Sequence, residues 1–310
     1  MLSTARLPAA GERVLVIAPH PDDEALGVGG LIHSARRAGA DVTIGFLTSG
    51  DGFPLAAAST LRRLPVPVVM RRFAAIREAE ATAAAETLGV AASGVRFLGY
   101  PDRGLAPMWG RRDRQTAFYR SPYTRATHTD GRHGPVSTFC AAALVLELGA
   151  LLQSVRPLFL YVPDPLDDHP DHWAGAAFVH CAVASLPRGV RPEVMRSYLI
   201  HRGPWPPSRG DTLEPPASLA TSALSFETMA LDGAAQEAKA SALRAHRSQH
   251  RWCGGFLRRF LRSNELLVNR REYEVLLAWT PPAAPEPGRD RAGQSVRGVV
   301  AATAESLRRR

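Results

Sequence analysis

Four short apolar runs, each followed by a stretch of helical spacing, constrain this chain more than any other feature. Residues 13–18 (RVLVIA), 41–48 (DVTIGFLT), 94–100 (GVRFLGY) and 157–162 (PLFLYV) are short and rich in β-branched and aromatic residues, and read as buried strands. Between them, LIHSARRAG at 31–39, the alanine-rich segment 71–88 and residues 137–153 carry apolar residues at helical spacing. Strand–helix alternation of this kind predicts an α/β fold: a Rossmann-like, mainly parallel sheet with helices on both faces. In such a sheet the active site is expected at the C-terminal ends of the strands. Farther on, helices are expected at 233–249 and 255–268. The domain is expected to span 1–280, with 281–310, rich in Pro, Gly, Ala and Arg, as a flexible tail.

Composition narrows the class. At 45% hydrophobic and 22% charged, the chain matches a globular protein and argues against wholesale disorder. There is no apolar run of about 18 residues for a transmembrane helix. The opening MLSTARLPAAGERVLV lacks a basic segment followed by an apolar core, so no signal peptide is expected. Cys140, Cys181 and Cys253 form no CxxC pair, which excludes a cysteine zinc finger and a disulfide framework. A cytoplasmic location is expected. Of the 38 basic residues only Lys239 is lysine, and the arginines are spread along the chain. The net charge of +9 therefore reads first as a solvated basic surface, with an anionic substrate or peripheral membrane contact as the alternative.

Two polar clusters fall where the sheet would put chemistry. His20-Pro21-Asp22-Asp23-Glu24 follows the first strand, and Asp164 to His172 (DPLDDHPDH) follows the fourth. Adjacent carboxylates raise each other's proton affinity unless a cation is near. If a helix starts at Pro170, His169 and His172 project from its first turn toward one region. Two histidines and a carboxylate gathered from different strand ends give a three-ligand site with an open fourth position, the form of a catalytic zinc site. Zn²⁺ suits these ligands, and Fe²⁺ or Co²⁺ fits the same set. Either cluster alone reads equally well as a capped turn; the pair at the ends of one sheet does not.

With APHPDDEALGVGG near the start and DDHPDH in the middle, the chain resembles the PIG-L/LmbE family of zinc-dependent deacetylases, which remove acetyl groups from N-acetylglucosaminyl units. The resemblance spans roughly residues 12–250. Arg77-x-x-Glu80, LGYPDRGL at 98–105 and KASALRAHRSQ at 239–249 support it. It implies His20, Asp23 and His172 as metal ligands and Asp22 as the general base for water activated by the metal. It implies that His169 stabilises the oxyanion or protonates the leaving amine, and it places Arg77 and Asp102 near the sugar. One departure stands out. Some relatives carry an oxyanion-binding tyrosine two residues before the first histidine of HPDH, where this chain has Asp167. The oxyanion role then falls to His169 or to a donor elsewhere, and Asp167 or Asp168 either holds the His169 ring as imidazolium or belongs to a plain solvated turn.

Weaker signals complete the reading. Gly27-Val28-Gly29-Gly30 is not a dinucleotide loop and reads as close helix packing. His33, His180, His201 and His246 read as structural, and Glu24 as either a support for the first motif or a helix cap. The arginine- and aromatic-rich stretch 101–136, with Arg103, Arg111, Arg112 and Arg114, reads as either a pocket rim or an ordinary surface loop, and Trp205 as a second pocket wall. The function expected is a metal-dependent hydrolase removing acetyl from an N-acetylated amino sugar or glycoconjugate. An amidase of the same fold cutting a larger amide is the nearest rival. A basic, non-catalytic nucleic-acid-binding protein is the other, and the two intact metal motifs argue against it.

Overall fold

The computed structural model describes residues 2–112, 117–219 and 224–269. The expected tail at 281–310 lies outside the described residues, as does Arg114. Eight strands, β1 (Ser3–Thr4), β2 (Arg13–Ala18), β3 (Asp41–Thr48), β4 (Val95–Tyr100), β5 (Phe159–Pro163), β6 (Val194–Tyr198), β7 (Ser225–Ala230) and β8 (Asn264–Asn269), form one sheet. Their order is β1-β7-β8-β6-β5-β2-β3-β4, and every neighbouring pair is parallel except those made by β8.

The helices are α1 (Asp23–Arg37), α2 (Pro54–Leu61), α3 (Pro67–Thr87), α4 (Leu105–Gly110), α5 (Ala141–Val155), α6 (Pro170–Ser185), α7 (Gly233–Ala245) and α8 (Arg247–Leu257). They cover both faces, and strand alternation shows why. In β2, Val14, Val16 and Ala18 pack with Leu31 of α1, Ala84 of α3 and Leu243 of α7. Leu15 and Ile17 point the other way, into Met108, Leu148 and Phe178 of α4, α5 and α6. A sheet buried on both sides needs near-continuous apolar strands. That is why β2, β3 and β5 were legible.

From β2 the chain winds outward through β3 and β4, then returns to place β5 on the other side of β2. The β2/β5 boundary is thus a topological switch point, where the loops leaving two adjacent parallel strands diverge and open a crevice. HPDDE leaves β2 and DPLDDHPDH leaves β5, so both clusters meet there.

Two expected elements differ. The helix expected at 255–268 is a short 3-10 turn at Arg258–Phe260 followed by β8, which inserts between β6 and β7. Five of its six residues are buried, so it lacks the alternation that marks a half-exposed strand, and FLRRFLRSNELL mimics helical spacing. The helix expected at 233–249 breaks at His246 into α7 and α8.

The glycines of α1 do serve close packing. A Cβ on Gly27 would sit 2.3 Å from the Tyr198 ring, whose hydroxyl donates to Ile17 O at 2.8 Å. Val28 leaves helical geometry, and Gly30 N and Leu31 N donate to the Glu265 carboxylate at 2.8 Å each. Glu265 is itself paired with the fully buried Lys239 at 2.6 Å. This ion pair ties α1, α7 and β8 together behind the crevice.

Candidate active site

The backbone sets the first motif. Asp22 sits at φ 119° between β2 and α1, a conformation that strains any residue with a Cβ. Buried partners hold it there. Asp22 N donates to Glu24 Oε2 at 3.0 Å, and Glu24 Oε1 faces His246 Nε2 at 3.1 Å. Arg77 donates to Pro21 O and to Gly50 O, and its guanidinium stands 3.4 Å from Asp22 Oδ2. Glu24 therefore supports the first motif through the N–H of Asp22, the N-cap residue of α1, and His246 is structural as expected.

The second motif is organised by α6. Pro170 opens that helix, and His169 caps it: Nδ1 accepts from Asp171 N at 3.2 Å. An accepting Nδ1 leaves the proton of a neutral ring on Nε2. His169 and His172 then face His20, with ring centroids 4.9 and 5.4 Å from it.

Asp23 Oδ2 lies 3.1 Å from His20 Nδ1 and 3.1 Å from His172 Nε2. His20 Nε2 faces Asp102 Oδ1 at 3.4 Å and Asp171 Oδ2 at 3.3 Å. His20, His169 and His172 each offer a ligand nitrogen, all within 4.8 Å of one another, and so do the ligand atoms of Asp23, His172 and His201. Neither nitrogen of the fully buried His172 makes a well-aligned hydrogen bond. Unaligned buried nitrogens beside converging carboxylates are what a divalent ion would satisfy, and the residues fit one.

The charges answer one another. Burial opposes charge on His20 and His172, but carboxylates outweigh it. His20 is raised well above the usual histidine range by Asp102, Asp171 and Asp23, and His172 reaches about 10 beside Asp167 and Asp23. Burial would raise Asp23, yet His172 and His20 hold it well below the usual carboxylate range. Asp22 goes the other way: burial lifts it to about 6, with the nearby Asp23 charge adding to the rise and Arg77 limiting it. His169 is pushed down to about 3 by burial and by the positive His20 and His172.

These surroundings disfavour the expected imidazolium, and neither Asp167 nor Asp168 holds the His169 ring. Asp167 Oδ2 lies 3.2 Å from His172 Nδ1 and accepts from Ile200 N and His201 N at 2.9 Å each, while Oδ1 accepts from His169 N. Asp168 pairs with Arg202 at 3.0 Å.

A pocket of about 220 Å³ opens over the cluster. Asp22, Arg77, Asp102, Arg103 and His169 line it, and α8 supplies Gln249, Cys253 and Phe256. Trp205 is no wall: it is buried, with Nε1 donating to Glu214 O and its edge against Phe260. Of the arginines expected on the rim, Arg103 lines the pocket. Arg111 and Arg112 lie over the rings of Tyr119 and Trp109. Two residues were missed. Asp171 accepts from Arg103 N and Leu105 N, fixing the loop that carries Asp102. His201, read as structural, packs edge-on against His172 at 4.9 Å and lines the pocket. A lone histidine in the loop after β6 gives no sequence signal of this.

The PIG-L family profile, described as GlcNAc-PI de-N-acetylase, matches residues 15–183, more than half of the sequence and both motifs. The chain belongs to the PIG-L family. Solved structures agree with this in fold. The N,N'-diacetylchitobiose deacetylase from Pyrococcus horikoshii matches with a TM-score of 0.52 and 20% identity, covering 84% of each chain. A deacetylase of teicoplanin biosynthesis matches with a TM-score of 0.53 and 18% identity, covering 84% of this chain and 99% of that one. The 4-carboxy-2-hydroxymuconate hydratase from Pseudomonas putida KT2440 matches with a TM-score of 0.50 and 19% identity, over 80% and 83%. The PIG-L fold thus carries more than one chemistry, and the site must decide between them. No curated protein matches the chain in sequence.

Proposed function

We propose that this protein is a metal-dependent hydrolase that removes the acetyl group from an N-acetylated amino sugar or its glycoconjugate. The observation that carries it is Asp22: a half-buried carboxylate raised to about 6, next to an Asp23 carboxylate on which His20 and His172 converge at 3.1 Å each. Family membership and deacetylases of the same fold support the same reading.

His20, Asp23 and His172 would hold the ion, Zn²⁺ first among the candidates. The ion, when bound, supplies a Lewis acid that acidifies water and draws electron density from the amide carbonyl. The chain's own groups do the rest. Asp22, ionised above about pH 6, would take the proton of the attacking water at its carboxylate and return it to the amine nitrogen as the C–N bond breaks, and Arg77 and the Asp22 N–H···Glu24 contact fix where that carboxylate stands. His169 presents Nε2–H to the developing oxyanion as a neutral donor, because Asp171 N occupies Nδ1. Asp167 orients His172 through Nδ1, leaving Nε2 toward Asp23. Asp102 and Arg103, at the pocket wall, stand where sugar hydroxyls would be read, and Arg77 has its unpartnered Nε there as well.

The test is elemental analysis of the purified protein with measurement of acids released from a panel of N-acetylglucosaminides and longer N-acyl conjugates. Acetate as the main product, lost on chelation, supports the proposal. Release of only the longer acids would favour the amidase reading.

A further inference from the structure

We infer that the α2–α3 connection, with Trp252 of α8 beside it, is a docking surface for an anionic lipid bilayer. Five of the nine large apolar side chains exposed among the described residues gather in these elements. Leu64 is 79% exposed, Leu55 63%, Val68 55%, Val66 46% and Trp252 45%. They belong to one surface, because α2 packs against both α3 and α8, and the Phe53 and Trp252 rings lie 6.3 Å apart.

The backbone at the tip suits an apolar medium. Pro65 and Pro67 have no N–H, and Val66 N is already bonded to Leu64 O at 2.8 Å. Few donors would lose water there without a partner.

Charge says which surface. Residues 53–76 contain four arginines and residues 247–264 five, with no aspartate or glutamate in either. Arg62, Arg63, Arg71, Arg72, Arg247, Arg251 and Arg258 are exposed. An apolar tip collared by one sign of charge matches the headgroup region of an anionic leaflet, where apolar and electrostatic attraction add. Phe53 also lines the pocket, so docking would bring the pocket rim to the bilayer. The inference does not depend on the deacetylase reading.

The experiment is co-sedimentation of the full chain with vesicles of equimolar phosphatidylglycerol and phosphatidylcholine, against phosphatidylcholine alone. The wild type is expected to partition onto the anionic vesicles and to be released by raising salt above about 0.5 M, where screening is nearly complete. Leu64→Asp with Val66→Asp is expected to lower partitioning at least about tenfold with the thermal midpoint unchanged. Wild type that stays in the supernatant would overturn the inference, as would a double variant that binds equally well. Self-association of the wild type that the double substitution abolishes, without vesicle binding, would also overturn it and assign the face to a second copy of this chain.

Discussion

Asp167 Oδ2 lies 3.2 Å from His172 Nδ1, and both side chains are fully buried. The same carboxylate accepts Ile200 N and His201 N, so the strand end after β6 helps to aim a histidine on α6. An acidic partner on the far nitrogen fixes the ring and makes it a stronger ligand. Asp167→Asn keeps the shape but removes the charge. Metal affinity is expected to fall about 10–100-fold, measured by competition with a chromogenic chelator, with the fold intact by circular dichroism.

Asp22→Asn is expected to keep the ion while kcat falls about 10²-fold or more. The sign of the pH dependence follows from its environment. Its folded value is raised to about 6, and a base works only when ionised, so kcat/KM should fall as pH drops through about 6. Acetate release between about pH 4 and 8, about two units to either side of that value, measures both, and the variant should lose this acidic limb.

Ion uptake should release protons. In the metal-free site His172 titrates near 10 and His20 well above its usual value, so both carry protons at pH 7 that coordination must expel. Calorimetry in buffers of different ionisation enthalpy should show net proton release, larger at pH 7 than at pH 10, and His172→Ala should bind no ion.

The ion pair behind the crevice gives a stability prediction. Lys239→Met strands the buried Glu265 without its cation while Gly30 N and Leu31 N still depend on that carboxylate. A loss of about 3–5 kcal/mol is expected by chemical denaturation. Replacing Lys239 and Glu265 together by Met and Gln should recover part of it.

How far the sequence carried the reading depends on what each residue answers to. β2, β3 and β5 were legible because a strand buried on both faces must be apolar throughout, and the two motifs were legible because carboxylates and histidines packed so tightly at strand ends have few uses. β8 was not, because its burial erases the alternation and its neighbours imitate a helix. The partner of Asp167 was not, because the ring it holds is set by how α6 turns and not by the shorter chain distance to His169. His201 and Asp171 were not, because their place in the crevice exists only once β6 lies beside β5.

The most direct test of the account is anomalous diffraction from crystals soaked in Zn²⁺. The account predicts one strong peak at the β2/β5 crevice, about 2.0–2.2 Å from side-chain atoms of His20, Asp23 and His172. A peak coordinated elsewhere, with those three side chains keeping the contacts they make to one another without it, would contradict the account.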